Sequence, residues 1–194
     1  MNKNRLGAFS DGVIAILITI MVLELRVPRG ATISDLAPLL PLFLTYLLSF
    51  VFLAIYWNNH HHLLHAASRI TGRLLWANTH LLFWLSLVPF VTGWMGANHF
   101  APVPTAAYGC VMLLAAIAYY ILQSLILRAE GRESGLAMAL GKNLKGKISL
   151  VLYAAAIPLA FVQQWISDIL YVTVALIWTV PDKRIENLFA DKAG

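Results

Sequence analysis

The chain has 194 residues, 60% of them hydrophobic and only 12% charged, with a mean hydropathy of +0.74. A soluble domain carries about 25% charged residues, so this composition excludes one and points to an all-α membrane protein. The single cysteine excludes an intrachain disulfide and cysteine-rich metal chemistry. The net charge of +5 would suggest a nucleic-acid partner in a soluble protein, but here the bases lie between apolar runs and set orientation instead.

The first apolar stretch, about Phe9 to Leu25, is too long for a removable signal and lacks a small-residue cleavage site after it. It is expected to remain as a membrane anchor. Arg26, Pro28, Arg29 and Gly30 end it. Ser34 or Asp35 is expected to cap the second span, about Pro38 to Trp57, which ends in the run Asn58-Asn59-His60-His61-His62 followed by His65. The third span, about Leu74 to Trp94, carries Trp76, Asn78, His80, Trp84, Ser86 and Pro89. The fourth runs from about Thr105 to Leu127. A polar, glycine-punctuated loop, Arg128 to Lys147, follows it.

The stretch Ile148 to Val180 is interrupted by Gln163, Gln164, Ser167 and Asp168. Two short spans joined by a tight turn are favoured over a re-entrant hairpin, because the stretch is too long for one crossing. Asp182 to Gly194 is a polar tail. The chain therefore reads as one six-helix transmembrane domain over residues 1–194, embedded in a lipid bilayer. With the N-terminus inside, all but Arg26 and Arg29 of the 14 Lys and Arg fall on the inner side. That bias places both termini in the cytoplasm of a multi-pass protein of the cell's inner (plasma) membrane.

The first helix has two distinct faces. At about 100° per residue, Phe9, Gly12, Ile16, Thr19 and Leu23 form one stripe with Ile20 at its edge. Ser10 and Asp11 lie off that stripe. If several copies surround an axis, Ile16 and Leu23 form hydrophobic constrictions that gate by dewetting, and Thr19 offers hydroxyls to an ion. The alternative is ordinary helix packing, with Thr19 bonded back to the carbonyl of residue 15.

Other polar residues carry expectations of their own. Asp11 is expected to be held within its own subunit by groups at the same depth: Trp76, Asn78 and His80 on the third span, or Asn58, Asn59 and His60 on the second. The histidine cluster lacks an HExxH motif or a carboxylate box, so no metal ligands are assigned and the histidines are read as interfacial or pH-sensitive. Glu24 either attracts cations at the outer mouth or pairs with Arg26 or Arg29. Asp168 is read as a turn residue at the outer surface, and most tryptophans as an interfacial belt.

Arg5, Phe9, Ser10 and Asp11 form an Arg-x-x-x-Phe-Ser-Asp pattern that opens the first membrane helix. It continues as Gly12-Val13-x-Ala15-Ile16-x-x-Thr19-x-x-x-Leu23. This pattern resembles the signature of the transmembrane-protein-175 family of potassium channels, and the six-span layout extends the resemblance along the whole chain. The resemblance implies a non-enzymatic potassium channel of the prokaryotic single-repeat type, a homotetramer with the first helix lining a central pore. It implies Ile16 as the main constriction, Thr19 as an aid to potassium preference, and Leu23 and Ile20 as further residues near the axis. Potassium is then the permeant ion, and no cofactor is expected. A proton-coupled secondary transporter or proton pathway using Asp11, His80 or Asp168 is the alternative, although no repeated or broken helices support it.

Overall fold

The computed structural model describes residues 2–131 and 143–179. The tail from Asp182 and most of the loop after Arg128 lie outside the described residues. Helix α1 (Lys3–Leu23) is followed by a 3-10 turn (Ile33–Leu39), α2 (Leu40–Ala66), α3 (Gly72–Ser86), α4 (Val88–Ala97), α5 (Pro102–Glu130), α6 (Leu144–Val162) and α7 (Gln164–Thr179). Among the described residues, five stretches are long and apolar enough to cross a membrane, with α3 and α4 forming one of them. Helix α7, with 16 residues, is short for a span and completes the set of six.

Local chemistry sets the boundaries. Asn2 caps α1 by accepting from the Asn4 amide. The cap of the 3-10 turn is Thr32, whose backbone N–H donates to Asp35 Oδ2 at 2.9 Å. Asp35 therefore sits inside a capping box and is not the cap itself. Helix α2 continues two turns past the expected end at Trp57 and carries the histidine cluster on helix, because the backbone stays bonded where the apolar run stops. The third span breaks at Leu87. Pro89 has no N–H to return to residue 85, and its ring crowds that carbonyl. Pro102 and Pro104 start α5 in its first turn, where a missing N–H costs nothing, and Gly131 ends it at φ +88°.

Helices α6 and α7 are separated by one extended residue, Gln163. This is the expected tight turn, but shorter than the polar run suggested. Ser167 and Asp168 consequently fall in the early turns of α7. Ser167 is buried and donates to the Ala156 carbonyl at 2.7 Å. Asp168 is half-buried, with Oδ1 enclosed and without a partner, instead of exposed in a turn.

The core runs along α5, whose Tyr108, Met112, Ala115, Ala118, Leu122 and Ile126 are fully enclosed. Helices α3, α4, α6 and α7 pack against it. Small residues permit the close approaches: an added Cβ on Gly109 would lie 2.2 Å from the Tyr171 hydroxyl. That hydroxyl donates to the Thr105 carbonyl at 2.9 Å. Buried hydroxyls also join α2, α4 and α5, with Ser49 Oγ 2.7 Å from Thr92 Oγ1 and 3.1 Å from Tyr108 Oη. Without water in the bilayer, such groups must be satisfied within the protein.

Candidate pore helix and its polar clasp

Helix α1 lies at one edge of the bundle against α2, α3 and α4. It buries a single seam, Leu6, Ser10, Ile14, Leu17 and Met21. On a helix of 100° per residue, the centre of that seam is about 140° from the centre of the Phe9–Leu23 stripe. The stripe is accordingly left uncovered by its own subunit: Phe9 and Ile16 are each 57% exposed, Ile20 41% and Leu23 81%. Gly12 and Thr19 are exposed with them, and so is Arg5 one turn before Phe9. Thr19 donates its hydroxyl to the Ile16 carbonyl at 2.8 Å, one residue on from the carbonyl expected. Its proton is spent inside the helix, so its oxygen presents lone pairs to the open side.

The Phe-Ser-Asp triplet divides three ways. Phe9 points outward. Ser10 is fully buried, donates to the Leu6 carbonyl at 3.0 Å, and accepts from Asn78 Nδ2 of α3 at 3.0 Å. Asn78 Oδ1 lies 2.6 Å from His60 Nε2 of α2. An amide oxygen only accepts, so His60 carries its proton on Nε2. The result is a directional chain, His60 to Asn78 to Ser10 to the Leu6 carbonyl, joining three helices in the core. His60 Nδ1 is buried at its end without a partner. Asp11, partly buried, accepts instead from the indole of Trp57 on α2 at 3.0 Å.

The polar groups expected around Asp11 are therefore redistributed. Asn78 is buried but holds Ser10. Trp76 is 77% exposed, and His80 is exposed and accepts from Trp84 of its own helix at 2.9 Å. Helical geometry is the reason: Trp76 and His80 are each two residues from Asn78, about 200° around the axis, and cannot share its face. Trp57 was the partner that sequence reasoning missed, having been assigned to the interfacial belt. Its signal was an indole N–H, a donor with no acceptor of its own, at the depth of Asp11. Glu24 is exposed and its carboxylate lies over Gly93 of α4, 3.6 Å from where a Cβ would stand. Among the described residues, no three His, Cys, Asp or Glu side chains converge to hold a metal ion.

Residues 5–89, which include the triplet, the clasp and the stripe, match the family described as endosomal/lysosomal potassium channel TMEM175. A potassium channel from Chryseobacterium sp. (strain P1-3) is 52% identical over 187 residues, covering 96% of this chain and 97% of the relative. A potassium channel from Chamaesiphon minutus is 30% identical over 178 residues, 84% of this chain and 86% of that one. Among solved structures, the crystal structure of a lysosomal potassium-selective channel TMEM175 homolog from Chamaesiphon minutus superposes with a TM-score of 0.82 at 28% identity, covering 93% of this chain and 97% of that chain. With near-complete coverage at this identity, and the same helical fold, the chain belongs to the TMEM175 family of potassium channels.

Proposed function

We propose that this chain forms a homotetrameric, potassium-permeable channel of the cell's inner membrane, with both termini cytoplasmic and four α1 helices lining the pore. The observation that carries the proposal is the uncovered stripe on α1. The helix is fixed in its own subunit by the Leu6–Met21 seam and the Ser10 chain, so the stripe is presented at the edge of the bundle in a set orientation. A fourfold arrangement of that edge brings Ile16 and Leu23 into hydrophobic rings, with Ile20 beside them.

In this arrangement the rings set the barrier to hydrated ions by excluding water, and Thr19 lies between them. Because each Thr19 hydroxyl proton is held by the Ile16 carbonyl, its oxygen acts toward a cation as an acceptor. One ring of hydroxyls replaces less of an ion's hydration than a cage of carbonyls. The expected preference for potassium over sodium is therefore modest.

The test is flux from liposomes holding the purified protein, driven by a potassium gradient alone. The proposal expects passive, non-saturating flux that rises in Ile16→Asn, where a polar ring wets the constriction. Thr19→Val keeps the side-chain shape but removes the oxygen, and is expected to lower the potassium-to-sodium ratio while Thr19→Ser retains it. Saturable flux tied to a pH gradient would instead identify a proton-coupled carrier.

A further inference from the structure

Of the histidines at the end of α2, His60 belongs to the chain that holds α1, whereas His61 and His65 take no part in it. We infer that His61 and His65 together form a binding site for a divalent transition-metal ion of the zinc class.

The two imidazoles are four residues apart on continuous helix, so they stack on one face. Their ring centres are 4.4 Å apart, with the planes inclined by 55°. Zinc binds imidazole nitrogen at about 2.0–2.1 Å in tetrahedral geometry, which sets two ligating rings with centres roughly 5 Å apart. Opening the observed pair by less than about 1 Å through side-chain rotation reaches that spacing without moving the backbone. Both side chains are exposed.

The frame under the pair is held in place. The Lys3 ammonium donates to the His65 carbonyl, tying the last turn of α2 to the start of α1. The Trp57 indole lies beside His61, with ring centres 6.1 Å apart, and is itself fixed by its bond to Asp11. The pair is therefore presented as a two-nitrogen clip on an ordered helix end. Neutral nitrogen donors favour zinc, nickel or copper over magnesium and calcium, which prefer oxygen ligands. Asp11, a carboxylate on this side of the bundle, is held by the Trp57 indole, so the two imidazoles make a binding site and not a hydrolytic centre.

The experiment is calorimetric titration of the purified full chain, its affinity tag removed, with zinc chloride and separately with magnesium chloride. Wild type is expected to take one zinc per subunit and no magnesium. His61→Ala and His65→Ala are each expected to weaken zinc binding by at least about tenfold, the scale on which even an outer-shell partner is felt. The double variant is expected to lose little more than either single one, and His99→Ala, at the other end of the bundle, to bind as wild type does. Elution volume in gel filtration checks that each variant is assembled, independently of flux. Zinc binding unchanged by either single substitution, or no saturable zinc binding in wild type, overturns the inference.

Discussion

Replacing Asn78 with alanine removes both links by which it joins α1 to α2, and the two losses are unequal. Ser10 keeps its bond to the Leu6 carbonyl after the Asn78 amide is gone. His60 does not: its Nε2–H loses its acceptor at 2.6 Å, and its Nδ1 is already buried without a partner. An orphaned buried donor costs about 1–3 kcal/mol. An interhelical hydrogen bond in a membrane protein averages only about 0.6 kcal/mol, with a maximum of about 1.7, because the unfolded chain also finds partners. Asn78→Ala is therefore expected to cost about 1–3 kcal/mol, and Ser10→Ala, which leaves the buried Asn78 Nδ2–H without its acceptor, about the same. The two combined should fall short of their sum by about 0.6 kcal/mol. Reversible unfolding of the purified protein in mixed micelles of rising SDS fraction measures all three variants, with His80→Ala as an exposed control on the opposite face of α3. Asn78→Ala unfolding with wild-type stability would refute the directional chain. So would strict additivity of Ser10→Ala and Asn78→Ala within about 0.3 kcal/mol.

Two further outcomes follow from the packing. Gly96→Ala places a Cβ 2.7 Å from the Leu42 Cα, a backbone atom that cannot swing away, so α2 and α4 must separate at a cost of about 1–3 kcal/mol; Gly72→Ala, with nothing within 4 Å, should stay within about 0.5 kcal/mol of wild type in the same unfolding assay. Trp57→Phe keeps the ring beside His61 but removes the N–H that Asp11 accepts. It is expected to cost about 0.6–1.7 kcal/mol, and Asp11→Asn combined with it should add little, which the corresponding double-mutant cycle checks.

How much of this was legible in the sequence depended on which physical signal each feature leaves. The spans were, because a membrane crossing demands roughly 20 apolar residues. The end of α2 was not. Hydropathy falls where the bilayer ends, whereas hydrogen bonding carries the helix on through His60, His61, His62 and His65. Pro89 was visible, but its consequence, two helices meeting at Leu87, needed the packed backbone. Asp168 read as a turn because four polar residues cluster there, yet Gln163 alone makes the turn and the following residues are helical.

The clasp shows the same division. The separation of Asp11 from the Ile16 stripe followed from helical periodicity alone. The choice of partners did not, because depth along a span is readable from sequence but rotation about its axis is set by packing. Asn78, Trp76 and His80 occupy similar depths, and only Asn78 turns toward α1. The 100° period already placed the other two on the reverse face, a constraint the expectation of a shared network did not use.

The most direct measurement of the central claim, that the exposed stripe of α1 faces the ion path, is cysteine accessibility coupled to flux. The native Cys110 is exposed and is first replaced by serine. Single cysteines are then introduced at Ile16, Thr19 and Val22. Val22 is also exposed, at 45%, but lies about 100° around the helix from the centre of the stripe. A small charged thiol reagent is predicted to alter potassium flux through the Ile16→Cys and Thr19→Cys proteins and to leave Val22→Cys unchanged. Equal effects at all three positions, or an effect at Val22→Cys alone, would contradict the account.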